Sequence, residues 1–188
     1  MTNIQDNYQP SDLEREIIRL MRIHRTIAGY VFNFLYPEEK ESRALALALR
    51  NIIYNRVISY DAFTDIYIAT PLDKPDRRKM RAMDFFVALH PDPEDCKTAL
   101  LNASTSGPYD IAAPSIKGVF EYLIYVNDTP RAIQVTQLAQ DIKQSSNNDA
   151  PIHLYIVATS EKELRLCKTD GIPTTKYLFE KDHLRKIG

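Results

Sequence analysis

Apolar positions between Leu13 and Ile53 recur at helical spacing, and beyond Val57 they change to the closer rhythm of strands. Leu13, Ile17, Leu20, Met21 and His24 form one stripe, with Arg15, Arg19 and Arg22 largely off it. Pro10 precedes Ser11, and Glu14 follows three residues later. This is a capping box, in which hydroxyl and carboxylate each satisfy an orphan amide, and it predicts where the first helix begins. Ile27, Val31, Phe34 and Leu35 predict a second, short helix capped by Thr26. Tyr36-Pro37 ends it, because proline disfavours helical geometry in the residue before it. Glu38 to Glu41 reads as a polar turn. A third helix is predicted over 42–55, with Leu45, Ala48, Leu49, Ile52 and Ile53 inward.

Two β-rich runs follow. Val57, Ile58 and Tyr60 precede a turn at Asp61-Ala62, and Phe63, Ile66, Tyr67 and Ile68 complete a hairpin. Three helices followed by a hairpin is the winged helix-turn-helix order, expected over residues 11–70. In that arrangement the first helix and the wing cover the back of the third helix and leave its front free. The segment Lys74-Pro75-Asp76-Arg77-Arg78-Lys79-Met80-Arg81 is the densest basic run and opens a predicted connecting helix over 74–89. Pro91 and Pro93 mark a break.

The remainder, 96–180, reads as a small α/β domain. The runs 109–116 and 119–126 flank Lys117-Gly118, a hairpin signal. Asp128-Thr129-Pro130 starts a helix that runs to about Lys143 and buries Ile133, Leu138 and Ile142. Residues 152–158 are a continuous apolar strand, Ser160 to Glu163 repeats the capping-box pattern, and Tyr177 to Phe179 reads as a last strand. The fold class expected is α+β.

Composition narrows the chemistry. The chain has 188 residues, a net charge of −1 and 44% hydrophobic residues, enough for a packed core. The charge divides almost evenly between the halves, so a nucleic-acid surface must be a local patch. No apolar run reaches the ~20 residues of a membrane span, and the polar first ten residues lack a signal-peptide core. Cys96 and Cys167 stand far apart, which reads as buried or incidental thiols in a reducing, cytoplasmic setting. With five glycines there is neither a GxGxxG nor a GxxxxGK loop. His24, His90, His153 and His183 show no metal-ligand spacing, and nothing suggests a cofactor or a metal.

Glu16-Ile17-Ile18-Arg19-Leu20, Phe34-Leu35-Tyr36-Pro37, Leu49-Arg50-Asn51-Ile52-Ile53, Tyr109-Asp110-Ile111 and Phe120-Glu121-Tyr122-Leu123-Ile124-Tyr125-Val126 carry a resemblance that spans most of the chain. It resembles the replication-relaxation-type and related winged-helix proteins of Firmicute plasmids and integrated elements. The resemblance implies DNA binding in plasmid replication, transfer or transcription control. It also implies a second domain similar to a restriction-endonuclease-like core, often without its active site. Such a nuclease needs an acid and an acid-x-Lys triplet on adjoining strands to hold Mg²⁺ and activate water. Asp110 offers the first acid, but Glu121 is followed by Tyr122 and Leu123, with no lysine. Asp141-Ile142-Lys143 falls on a predicted helix and Glu38-Glu39-Lys40 in the turn before the third helix. The second domain therefore reads as catalytically degenerate, the protein as no enzyme, and no catalytic residue is assigned; a metal-dependent nuclease, which needs Asp110 and another carboxylate to converge with a lysine, stays as a third reading behind the two below.

Two readings of the first domain compete. In the first, helix three enters the major groove of double-stranded DNA. Lys40, Ser42, Arg43, Arg50 and Asn51 are then contacts, Asn55 and Arg56 lie near the wing, and Arg77, Arg78 and Lys79 clamp phosphate. The second domain then dimerises or recruits a protein. In the second reading the winged helix is itself an interaction or dimerisation scaffold. The apolar Ala44, Ala46, Leu47 and Ala48 and the acidic wing residues Asp61 and Asp65 favour that.

Overall fold

A computed structural model describes residues 8–70, 74–115, 118–145, 151–169, 171–181 and 183–187. The fold is α+β, and the chain divides into two compact units, 1–101 and 102–188.

In the first unit, α1 (Asp12–His24) starts on the capping box: Ser11 Oγ accepts the Glu14 N–H at 3.3 Å, and Glu14 Oε2 accepts the Ser11 N–H at 2.8 Å. Ile17, Ile18, Leu20, Met21 and His24 are its buried side. The chain continues through β1 (Thr26–Ala28), α2 (Gly29–Leu35), α3 (Pro37–Glu41), α4 (Ala44–Tyr54), β2 (Ser59–Asp61), β3 (Ile66–Ile68), α5 (Arg77–Leu89) and α6 (Pro93–Leu101). The three strands form an antiparallel sheet in the order β1-β3-β2.

Thr26 does not cap a helix. It lies in β1, opposite Ile68, with Ile27 opposite Tyr67. Thr26 and Ile27 are both buried, and their branched side chains suit a pleated surface better than a helical turn. The helix starts three residues later, at Gly29, with no side-chain cap. The Gly29 N–H donates instead to the Asp65 carbonyl at 2.8 Å. The segment 38–41 is a short helix rather than a turn, because Pro37 at its first position has its φ already set and Glu38 and Glu39 complement the helix dipole.

The unit boundary falls after Leu101, so α6 belongs with the N-terminal helices and not with a segment beginning at 96. Cys96, Ala99 and Leu100 are buried, and the Leu100 carbonyl accepts a hydrogen bond from His24 Nε2 at 3.0 Å.

In the second unit, β4 (Ile111–Pro114), β5 (Phe120–Val126), β6 (Ile152–Ala158), β7 (Thr174–Glu180) and β8 (His183–Ile187) line up in chain order in one sheet. β4–β5 and β7–β8 are antiparallel. β5–β6 and β6–β7 are parallel, joined by α7 (Thr129–Ser145) and α8 (Glu161–Leu166). Ile124, Val126, Ile156, Ala158 and Leu178 of the sheet pack with Ala132, Val135, Leu138 and Leu164 of the helices. Ile133 is not in that core. It is 61% exposed, because the inward stripe of α7 runs Ala132, Val135, Leu138, Ala139 and Ile142, and Ile133 lies about 100° round the helix from Ala132. The last expected strand, 177–179, is the end of the longer β7, and β8 adds a further edge strand.

Burial pushes the His24 imidazole down to about 4, with the Lys79 charge acting in the same direction and the Leu100 hydrogen bond opposing it. The unfolded chain, with an ordinary histidine near 6.5, binds the extra proton. The stabilisation from neutral His24 is therefore complete above about pH 6.5 and is lost as the pH falls toward 4, amounting to about 3 kcal/mol. His24→Gln keeps an N–H for Leu100 and removes the titration. Urea unfolding at pH 7 and pH 4.5 is expected to show a smaller acid-induced loss in this variant than in the wild type.

Candidate nucleic-acid interface

The inward face of α4 is Leu45, Ala48, Leu49 and Ile52. Its outward face carries Arg43 at the N-cap, then Leu47, Arg50 and Tyr54, spaced four, three and four residues apart, which is one helical stripe. Leu47 is 60% exposed and Tyr54 76%. Arg43 has φ +63°, the left-handed conformation that closes the tight α3–α4 turn. A side chain pays about 1–2 kcal/mol for that backbone, where glycine would pay none.

Beside the stripe, a groove of about 360 Å³ lies between α4 and the sheet. Leu45, Leu49 and Ile53 supply apolar lining, Tyr60 and Tyr67 an aromatic wall, and Lys40 and Arg50 two cations. The two tyrosine rings are 4.6 Å apart. The hairpin turn beyond them is held by its acids. Asp61 accepts from the Phe63 N–H at 3.0 Å and from the Thr64 hydroxyl at 2.7 Å, and these bonds hold its carboxyl below the usual range. The Tyr60 hydroxyl donates to Asp65 at 3.0 Å, which raises the tyrosine pKa. Phe63, expected in the second strand, lies instead in the turn and is fully exposed, since β3 begins only at Ile66.

The expected contact residues divide into two sets. Lys40, Arg43, Arg50, Arg56 and Arg77 are exposed. Ser42 is exposed but its hydroxyl donates to the Glu39 carbonyl at 3.2 Å. Asn51 hydrogen-bonds Glu14 of α1, and Asn55 Nδ2 donates to the Asn51 carbonyl at 2.9 Å, ending the helix. Burial alone would raise the Glu14 pKa. The bonds from the Ser11 backbone, Asn51 and the Ser11 hydroxyl outweigh it and hold the carboxyl low. Arg78 and Lys79 are half-buried, and their backbone N–H groups donate to the Asp76 carboxylate, the N-cap of α5. Sequence reasoning missed the groove and the exposed phenyl ring. The turn-forming run Asp61-Ala62-Phe63-Thr64-Asp65 was the available signal.

In the second unit, Asp110 is fully buried. Its Oδ2 accepts the Tyr125 N–H at 2.8 Å and lies 3.6 Å from an Arg131 guanidinium nitrogen, which also donates to the Pro108 carbonyl at 3.0 Å. Glu121 stands 3.5 Å from the Tyr155 hydroxyl. Among the described residues, no three His, Cys, Asp or Glu side chains come together as a metal site. Asp141 and Lys143 lie on α7. The Cys96 and Cys167 thiols are buried and pushed up to about 12 and about 11, so both stay protonated at neutral pH. Among the described residues no helix is long and apolar enough to cross a membrane.

Comparison with protein-family models, with curated proteins and with solved structures found no match to the chain.

Because Asp110 is buried against Arg131, Arg131→Met leaves a carboxylate without its counter-charge and is expected to cost about 3–5 kcal/mol in denaturant unfolding. Asp110→Asn in the same chain is expected to restore most of that loss. Simple additivity of the two changes would show that the pair is not coupled.

Proposed function

We propose that the first unit is a winged helix that binds double-stranded DNA through α4 and the start of α5. The chain then serves as a cytoplasmic DNA-binding accessory or regulatory protein of a plasmid or other mobile element. The observation that carries this reading is the outward stripe of α4: Arg43 and Arg50 are exposed there, and neither side chain has an acidic partner among the described residues. Their guanidinium groups are free to pair with phosphates or guanine edges.

Three features support it. The element order α1-β1-α2-α3-α4-β2-β3, with a β1-β3-β2 sheet, is compatible with a winged helix in which α4 would be the reading helix. An arginine occupies the left-handed position between α3 and α4 at a backbone cost that glycine would avoid, a pattern found where the side chain has work to do. Arg77, Arg78 and Lys79 fill the first turn of α5, where positive charge opposes the helix dipole and lowers helix stability. An approaching phosphate reverses the sign of that interaction. The resemblance to winged-helix proteins of plasmids and integrated elements points the same way, with a degenerate endonuclease-like second unit that dimerises or recruits a protein.

Fluorescence anisotropy with mixed-sequence duplex DNA tests this. Wild type is expected to bind with an affinity that falls steeply with salt. Arg43→Ala/Arg50→Ala is expected to bind more weakly and to flatten the log–log salt slope by about 2, one phosphate contact per arginine. Equal binding by the two proteins overturns the assignment of α4.

A second reading has its own observation. Leu47 and Tyr54 sit on the same stripe, and alternating arginine with large apolar groups is the composition of a protein interface. In that case Leu47→Ser/Tyr54→Ser abolishes binding to a protein partner and leaves duplex affinity within about twofold, whereas the DNA reading makes Arg43 and Arg50 the sensitive pair.

A further inference from the structure

We propose that the tip of the β2–β3 hairpin docks into the α4 groove of a second copy of this chain, closing a two-fold dimer. This goes beyond DNA binding and uses a different residue, Phe63.

The tip is built for an apolar contact with an acidic border. Phe63 is fully exposed, and the Asp61 bonds to its N–H and to Thr64 fix the turn that presents it. A ring carried on a fixed turn binds without the cost of ordering the backbone that presents it. Asp61 and Asp65 flank it. The groove has the opposite character. Its lining is Leu45, Leu49 and Ile53, its wall the Tyr60 and Tyr67 rings, and its cations are Lys40 and Arg50. A volume of about 360 Å³ holds one phenyl ring, which can pack against the two tyrosines at edge or offset geometry. Two carboxylates flanking a ring thus face two cations beside an apolar floor.

This charge pattern selects the occupant. The acidic border of the tip repels phosphate, so the tip is not the part of the unit that meets DNA. It matches the groove of the same protein, and the two features lie close together: Tyr60 is part of the groove wall and Phe63 is three residues further along the hairpin. A tip and a complementary groove on neighbouring parts of one surface let two copies exchange tips reciprocally, as an isologous interface requires. Each copy then buries one phenyl ring, of the order of 150–250 Å² apiece, so the dimer is a weak, concentration-dependent one. Arg50 takes part in both occupancies. A groove filled by a neighbour's hairpin is closed to DNA, and the dimer is the DNA-free form.

Sedimentation velocity of the full chain without DNA, from about 5 to 500 µM, tests the proposal in a range suited to weak dimers. The weight-average mass is expected to rise from 21.6 kDa toward twice that value. Phe63→Ser, at a position with no packing to lose, is expected to weaken association at least about 100-fold, since two rings are lost per dimer, while circular dichroism stays unchanged and so does duplex binding measured well below the concentrations at which the wild type dimerises. Arg50→Glu is expected to weaken association as well. A mass that stays at 21.6 kDa throughout overturns the dimer, and Phe63→Ser associating like wild type overturns the tip as its contact. Duplex binding by a strictly monomeric wild type leaves DNA recognition standing and removes only this inference.

Discussion

A hairpin of two three-residue strands does not hold its shape in water, because two short strands bury too little to offset the ordering of their backbone. In this protein the hairpin is completed by β1, three residues between two helices. Thr26 and Ala28 pair with Ile68 and Ile66, the Ala69 N–H donates to the Arg25 carbonyl at 2.8 Å, and the Gly29 N–H donates to the Asp65 carbonyl at 2.8 Å. Gly29 belongs to this device. A Cβ there would collide with the Asp65 carboxylate, so glycine lets α2 begin against the turn. The pairing of β1 with β3 thus anchors the hairpin to the helices. The groove, the stripe of α4 beside it and the presentation of Phe63 all depend on that anchor.

Charge in the first unit is sorted over short distances. The Glu14 carboxylate is used up by Ser11 and Asn51, which ties α1 to α4 and takes Asn51 out of the set available to a ligand. Asp61 and Asp65 are used within their own turn, and Asp76 caps α5. What stays unspent on the surface is mostly cationic: Arg43 and Arg50 on α4, Lys40 beside them, Arg56 after the helix and Arg77 at the start of α5. A net charge of −1 conceals this only in part: Asp61, Asp65 and Asp76 hold turns and a cap, while Glu38, Glu39 and Glu41 of α3 remain beside Lys40. A phosphate backbone responds to the local field and not to the sum.

The parts of the fold written in strong local signals were legible in the sequence. Ser11 and Glu14 marked the start of α1, the spacing of Leu45, Ala48, Leu49 and Ile52 marked the buried face of α4, and the continuous apolar run 152–158 marked a strand in the middle of the second sheet. What was not legible was short or masked by charge. β1 is too brief to show a period of two, and its branched residues also fit a helical stripe. β8, His-Leu-Arg-Lys-Ile, carries the cations of an exposed edge strand and looks like a solvated tail. Ile133 reads as core by residue type, and only the phase of α7 turns it outward. Of the candidate site, the charged residues were visible as residues. Their division into the engaged Asn51, Asn55 and Ser42 and the exposed Arg43 and Arg50 depends on contacts between elements, and so does the groove.

The second unit shows the same separation between what a residue type suggests and what its surroundings permit. A buried carboxylate at the start of a strand is the natural first ligand of a metal-dependent nuclease. Asp110, however, is held by the Tyr125 N–H on the neighbouring strand and set against Arg131 from the first turn of α7. A carboxylate in that position joins β4, β5 and α7, and its charge is already balanced by protein. The same guanidinium also holds the Pro108 carbonyl, so the pair fastens that loop as well. The cost of breaking a buried pair makes Asp110 a structural tie between sheet and helix.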